Sequence, residues 1–431
     1  MGLKYGLEDK PPFGELMFFG LQWLAITFPA IMIIGKVVSE LQFNSLIEQV
    51  IYLQKVSFLV GISLFCQVFW GHRLPLVIGP AAVLLVGIVA AQGSNIHAVY
   101  TSILLGGIIL FILAATGLFA PLIKLFTPRV VVTILLLIAF TLTPTILSLI
   151  AGPEVQYPVL NICFALGIVF CAFIANCYLP PFWKSTLIIW LVLAGSVVYY
   201  LISPLEFYIP EGGSLKVFSG FLAAGDFNYS LDPGVLVAFL FCFLALLIND
   251  MGSIQAVGEM LQSDKMQKRL SRGICFTGLT NVLSGLFGVI GMVNFSFSPG
   301  VIAATGCASR FTLIPAAVGL ILISFSQKAI AFMGNIPGAV IGSVLLYIMS
   351  TQIVAGLMMA FRKVKNITFE GGLVIGLPLI LGIIISFLPP EVTAMFPANL
   401  RPILGNGFVV GSLTVLILDH LVTENNHMQG E

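Results

Sequence analysis

Apolar residues in this chain come in long unbroken runs, not in one-sided stripes. Such runs occupy about 14–35, 50–70, 75–92, 98–123, 128–151, 158–178, 183–203, 233–257, 270–292, 294–309, 311–333, 336–360, 368–388 and 403–421. A helix of about 20 residues crosses the roughly 30 Å hydrocarbon layer of a bilayer. The pattern therefore predicts an all-α polytopic membrane protein with fourteen transmembrane segments. Two runs, the third and the tenth, are interrupted. Val77-Ile78-Gly79-Pro80-Ala81-Ala82 and Phe295-Ser296-Phe297-Ser298-Pro299-Gly300 each pass from residues that favour extended backbone to Pro and Gly, then to helix-compatible sequence. Each predicts a short strand followed by a half-helix, with Pro80 and Pro299 at the first helical position, where the missing N–H costs nothing. Broken backbone within a bilayer is tolerated only where protein buries it or where it lines a cavity. A pair of such breaks, one per half, points to a transport site at mid-membrane depth.

The longest polar stretch, 204–232, carries Glu206, Glu211, Asp226 and Asp232 and divides the chain into 1–203 and 233–431. Seven spans fall on either side. Seven is odd, so the second half sits inverted relative to the first, and the whole is a single membrane domain built as a seven-plus-seven inverted repeat. Thr127-Pro128-Arg129 and Ile336-Pro337-Gly338, each opening a long run, correspond in the same way as the two breaks. Basic residues orient the chain. With both termini cytoplasmic, fourteen of the nineteen Lys and Arg lie on the inner side, as the positive-inside rule requires. The expected location is the cell membrane, with a first apolar segment that is retained rather than cleaved.

Composition narrows the class. Hydrophobic residues make up 59% and charged residues 9%, against about 25% charge in soluble domains. A net charge of +1 without a basic stripe gives no surface for nucleic acid. The seven cysteines form no CxxC pair or Cys/His cluster, so neither disulfides nor a metal site is expected, only small side chains packed between helices. The four histidines lie at span ends or in the tail, which excludes them as intramembrane proton relays. No nucleophile, paired acid or metal constellation points to an enzyme.

Candidate chemistry clusters near the breaks. Free N–H groups at the half-helix N-termini, around Ala81, Ala82 and Ser296 to Gly300, offer donors and partial positive charge to a ligand. Asp250 is the one acid deep in an apolar run, in Leu247-Ile248-Asn249-Asp250-Met251-Gly252-Ser253. Such an acid contacts substrate, carries a coupling proton, or holds a neighbouring broken helix. Asn249 offers a donor and an acceptor to a heterocycle edge, and Ser253 and Gln22 add polar groups. Trp23, beside Gln22, reads as a packing residue.

These residues resemble the nucleobase–ascorbate transporters, the nucleobase:cation symporter-2 family of uracil, xanthine and uric acid permeases. The likeness runs from Phe13 through Val422. It rests on Gln22, Arg73-Leu74-Pro75 to Gly79, Asn249 to Gly252, and Ser298-Pro299-Gly300 to Thr305-Gly306. It implies fourteen helices divided into core and gate domains, a homodimer, and symport of a nucleobase with H⁺ or, second, Na⁺, without a cofactor. The family's tenth-span motif is an acid or amide, Asn, any residue, Gly, four residues, Thr, then Arg, Lys or Gly. Gly300, Thr305 and Gly306 fit it, whereas Phe297-Ser298 replaces its first pair. The family's base-gripping Glu of the eighth span falls on Asn249, and a polar His or Asp falls on Ser253. Substrate contacts are thus expected from Gln22, Ala81, Ala82, Asn249, Asp250, Ser253, Ser296, Phe297, Ser298 and Gly300, with Asp250 coupling protons. An anion transporter of the sulfate permease type is the alternative.

Overall fold

The computed structural model describes residues 3–119, 126–153, 155–180, 183–184, 186–203, 216–217, 220–221, 228–296, 298–363, 369–397 and 400–428. Most of the 204–232 connection and Phe297 therefore lie outside the described residues. Numbered over the described elements, the chain runs α1 (Phe13–Gln42), α2 (Leu46–Phe69), β1 (Ile78–Pro80), α3 (Ala82–Ala90), α4 (Ile96–Thr116), α5 (Pro128–Thr141), α6 (Thr143–Ala151), α7 (Pro158–Tyr178) and α8 (Leu187–Ile202). The second half continues through α9 (Pro233–Met260), α10 (Met266–Phe287), β2 (Met292–Asn294), α11 (Ser298–Thr305), α12 (Leu313–Ser324), α13 (Gln327–Gly334), α14 (Gly338–Lys363), α15 (Phe369–Ser386), α16 (Pro390–Ala394), α17 (Arg401–Leu404) and α18 (Gly407–Met428). Among the described residues eight helices are long and apolar enough to cross a membrane, with α5 and α6 together forming one of them, and three shorter apolar helices accompany them.

The two interrupted runs meet. β1 and β2 pair antiparallel, with Ile78 opposite Asn294, Gly79 opposite Val293 and Pro80 opposite Met292. Both strands are wholly buried. A two-stranded ribbon of three residues per strand is not stable alone, and here side chains satisfy its outer edges. Asn281 of α10 donates its Nδ2 to the Met292 carbonyl at 2.9 Å and accepts the Met292 N–H on its Oδ1 at 3.0 Å, mimicking a third strand. On the other strand, Ser298 Oγ accepts the Val77 N–H at 3.1 Å. The half-helices that follow, of nine and eight residues, reach only about 12–14 Å and stop within the membrane's thickness.

Two expectations shift by a few residues. Pro80 ends the strand and does not open the half-helix, which starts at Ala82. The Ala81 N–H that follows donates to the Gly291 carbonyl at 2.9 Å, so the ribbon loses only the donor that proline lacks. The second strand lies at Met292–Asn294, upstream of Phe295, because Asn281 and the acid on α9 hold that stretch extended.

Packing falls into two groups. In one, α1, α2, α4, α9, α10 and α12 surround the ribbon and the half-helices. Here α4 and α10 approach backbone to backbone: a Cβ on Gly278 would lie 2.7 Å from the Phe111 nitrogen and one on Gly107 2.6 Å from the Val282 nitrogen, the small-residue contact by which membrane helices associate. In the other, α5, α14, α15 and α18 pack on one another, with α6 and α7 beside α14. The cysteines correct a further expectation. Cys242 is buried between helices, but Cys163, Cys171 and Cys177 sit exposed on α7, a helix with a largely outward apolar surface, and all seven are free thiols.

Candidate functional site

A cavity of about 690 Å³ lies where the two groups face each other. One wall comes from the ribbon side: Ala82 and Val83 at the start of α3, Val293, Phe295 and Ser296 after β2, Gly300 and Ala303 of α11, Asn249 of α9, and Ile26, Ala30 and Ile34 of α1. The opposite wall holds Lys184, Leu187 and Ile188 at the start of α8, with Tyr347, Thr351 and Gln352 of α14. The volume falls within the roughly 300–1,000 Å³ of small-molecule sites, and the lining, mostly apolar with a few polar groups, is of the usual kind.

The α3 N-terminus is open. Its N-cap residue is Ala81, which makes no side-chain cap, and among the described residues no side chain accepts the N–H groups of Ala82 and Val83. Alanine is among the poorest N-caps, so those donors remain for whatever enters beside Ala82 and Val83. Phe295 supplies a ring on the same wall. It lies against Gly79, where an added Cβ would stand 2.5 Å from two ring carbons, so only glycine lets the ring pack flat on the ribbon.

Polar groups gather on the α9 side. Ser296 Oγ reaches Asn249 Oδ1 at 3.3 Å and shares a 2.8 Å hydrogen bond with Ser253 Oγ. Ser253 in turn lies 2.9 Å from the Asn249 carbonyl and 3.0 Å from the Asn294 carbonyl. Asn249 and Asp250 part company here. Successive residues on a helix point about 100° apart, so while Asn249 lines the cavity, Asp250 turns to the ribbon and is 0% exposed. Its Oδ1 accepts the Asn294 N–H at 3.0 Å and the Asn294 Nδ2 at 2.6 Å, clamping the end of β2. Among the described residues its Oδ2 makes no hydrogen bond. Asp250 thus acts on the cavity through the strand and not from the cavity wall.

The remaining sequence candidates divide accordingly. Asn249, Ser296, Gly300 and Ala82 are on the wall; Ser253, Ser298 and Ala81 are buried just behind it. Gln22 lies off the wall, but four residues before Ile26 on the same stripe of α1, and both polar atoms of its side chain are buried with no hydrogen-bond partner among the described residues. Trp23 is core, 3% exposed, donating its Nε1 to Thr312 Oγ1 at 3.1 Å. His72 lies just beyond the end of α2 and is fully buried, its Nδ1 accepting the Leu74 N–H at 3.0 Å. The residues that sequence reasoning passed over are Asn294, Asn281, Phe295, Lys184 and Gln352. A lone Asn closing an apolar triplet, as in Met292-Val293-Asn294, is the one signal that could have found the strand's anchor.

A multi-pass membrane protein with a central cavity between broken helices is the architecture of a transporter. The chain belongs to the Permease family whose model, Xan_ur_permease, matches residues 14–391, a family of transporters and not of enzymes. It is 25% identical to the uric acid permease PucJ of Bacillus subtilis, over 87% of this chain and 86% of that one. It is 24% identical to the xanthine permease of the same organism, over 94% and 93%, and 24% identical to the nucleobase transporter PlUacP of Paenibacillus larvae, over 97% and 96%. Among solved structures the fold resembles the transmembrane domain of the cyanobacterial bicarbonate transporter BicA, with a TM-score of 0.60 at 15% identity over 86% of this chain and 95% of that one. It also resembles the murine anion transporter Slc26a9, with a TM-score of 0.63 at 12% identity over 96% and 70%.

Proposed function

We propose that this protein is a secondary active transporter for a nucleobase such as uracil, xanthine or uric acid, driven by H⁺ symport. The observation that carries the reading is the cavity between the ribbon side and the α8–α14 wall, with an uncapped half-helix, an aromatic ring and the Asn249–Ser296 pair on one face. A planar base fits that set: the ring stacks, the amide and hydroxyl meet its polar edge, and the backbone N–H groups meet a carbonyl. The relatives named as uric acid and xanthine permeases support the substrate class. In this reading the chain is a fourteen-segment inverted repeat with both termini cytoplasmic. The ribbon group is the core, the α5–α14–α15–α18 group is the gate and the dimer surface, and one moving against the other gives alternating access.

Asp250 is the candidate coupling group, since its Oδ2 is buried and makes no hydrogen bond among the described residues, and a proton there needs no rearrangement of the clamp on Asn294. Asp250→Asn retains an acceptor for the two Asn294 donors. It is expected to stay folded, bind the base and lose accumulation driven by a proton gradient; full accumulation removes Asp250 from the coupling step. Thermal-shift screening of the purified protein against uracil, xanthine, uric acid, hypoxanthine and inorganic anions tests the substrate class, because a ligand that binds the folded state raises its apparent stability. A shift with sulfate or bicarbonate and none with any base favours the second reading, an anion transporter. The specific observation behind that reading is a cavity wall with no carboxylate among its described residues.

A further inference from the structure

The charge of the cavity is one-sided. Lys184 is the one formally charged residue among its described lining residues. Its Nζ donates to the Cys177 carbonyl in the last turn of α7 at 3.3 Å, which leaves further N–H donors for a ligand. The uncapped N-terminus of α3 lies on the facing wall and carries partial positive charge. The other groups on the walls, Asn249, Ser296, Tyr347, Thr351 and Gln352, are neutral. Asp250, next to the wall residue Asn249, is 0% exposed and is turned to Asn294 behind the strand. A neutral base would leave the Lys184 ammonium as the one formal charge on the described lining, without a counter-charge beside it. A monoanionic ligand supplies that counter-charge.

We infer, resting on the nucleobase reading above, that the cargo is a planar heterocycle bound as its ring-deprotonated monoanion, with Lys184 as its counter-ion. The chemical class is an acidic oxopurine or related cyclic imide whose ring N–H ionises near neutral pH. Its delocalised negative charge lies between Lys184 on one wall and the α3 N-terminus on the other, and Phe295 takes its face. Lys184 is thereby a specificity residue: it separates acidic bases from bases that stay neutral, which share ring size and stacking.

The test is direct binding to the full chain in detergent at fixed ionic strength, with urate as the ionised probe, hypoxanthine as the neutral one and xanthine titrated across its ring ionisation. Lys184→Gln is expected to weaken urate binding about tenfold, the effect of one charge pair worth about 1.4 kcal/mol, while hypoxanthine binding changes less than twofold. Lys184→Arg is expected to restore urate binding to within about threefold. Xanthine binding to the unaltered protein is expected to tighten as pH rises through its ionisation, and to lose that dependence in Lys184→Gln. Equal loss for urate and hypoxanthine, or weaker binding of xanthine once ionised, overturns the inference while leaving the nucleobase reading intact. Binding of none of the three by a folded protein overturns both. Raising salt weakens urate and not hypoxanthine if the charge pair is the source.

Discussion

The two breaks are alike in backbone and opposite in chemistry. The first, β1 and α3, is apolar throughout: Ile78, Gly79, Pro80, Ala81 and the Ala82–Ala90 helix carry no side-chain hydrogen-bonding group. The second, β2 and the start of α11, is polar wherever it is not lining the core: Asn294 meets Asp250, Ser296 meets Asn249 and Ser253, and Ser298 meets Val77. One arm therefore offers a ligand its backbone alone, and the other offers it side chains that α9 holds in place. Pairing of the two strands needs only backbone groups, whereas selectivity needs particular side chains, so two breaks alike in backbone can differ in chemistry.

The largest test of this division removes the α9 clamp. Asp250→Ala leaves the Asn294 N–H buried without an acceptor, at about 1–3 kcal/mol, and leaves its Nδ2 only the long 3.5 Å contact to Thr277 Oγ1. That is a large share of a typical folding free energy of about 5–15 kcal/mol. The expected outcome is a steep fall in apparent melting temperature together with loss of nucleobase binding. A melting temperature within a degree or two of the unaltered protein shows that the ribbon does not depend on α9. Asp250→Asn, which keeps the acceptor, separates this structural effect from the coupling role.

Gly79→Ala comes next and probes where the arms touch. The new Cβ would stand 2.5 Å from the Phe295 ring, so the ring must swing away at a cost of about 1–3 kcal/mol. Because Phe295 lines the cavity, binding is expected to weaken at least tenfold while the protein remains folded. Unchanged affinity shows that the ring is scaffold and not platform.

The many-helix membrane character and the positions of both breaks are legible in the sequence, since apolar run length and Gly-Pro punctuation are local signals. The strand register is not legible there. Pro80 reads as a helix start by the first-turn rule, but it closes a strand because Met292, more than two hundred residues away, lies opposite it. Asn249 and Asp250 are adjacent in sequence, and nothing local tells which one faces the cavity. That is settled by the partner Asn294, itself one polar residue in an apolar run. In the sequence Lys184 reads only as one of the basic residues at a span end; the packing of α7 and α8 brings it to the cavity.

The smallest expected effect decides what the apolar arm does. Ala81 holds the N-cap position of α3 with extended dihedrals, φ −81° and ψ 114°, which suit a capping serine. Ala81→Ser places a hydroxyl where it accepts the N–H of the second or third helical residue, a gain of about 0.5–2 kcal/mol in helix stability. The same hydroxyl occupies the donors that the open N-terminus otherwise presents beside Ala82 and Val83. If those N–H groups bind cargo, Ala81→Ser raises the melting temperature slightly and weakens nucleobase affinity a few-fold, so that stability and binding move in opposite directions. A variant more stable with unchanged affinity reduces the first arm to a support for β2 and assigns all of recognition to the second. A variant less stable shows that the site has no room for the hydroxyl, and Ala81→Gly then tests the same donors, since it frees the backbone without filling the cap.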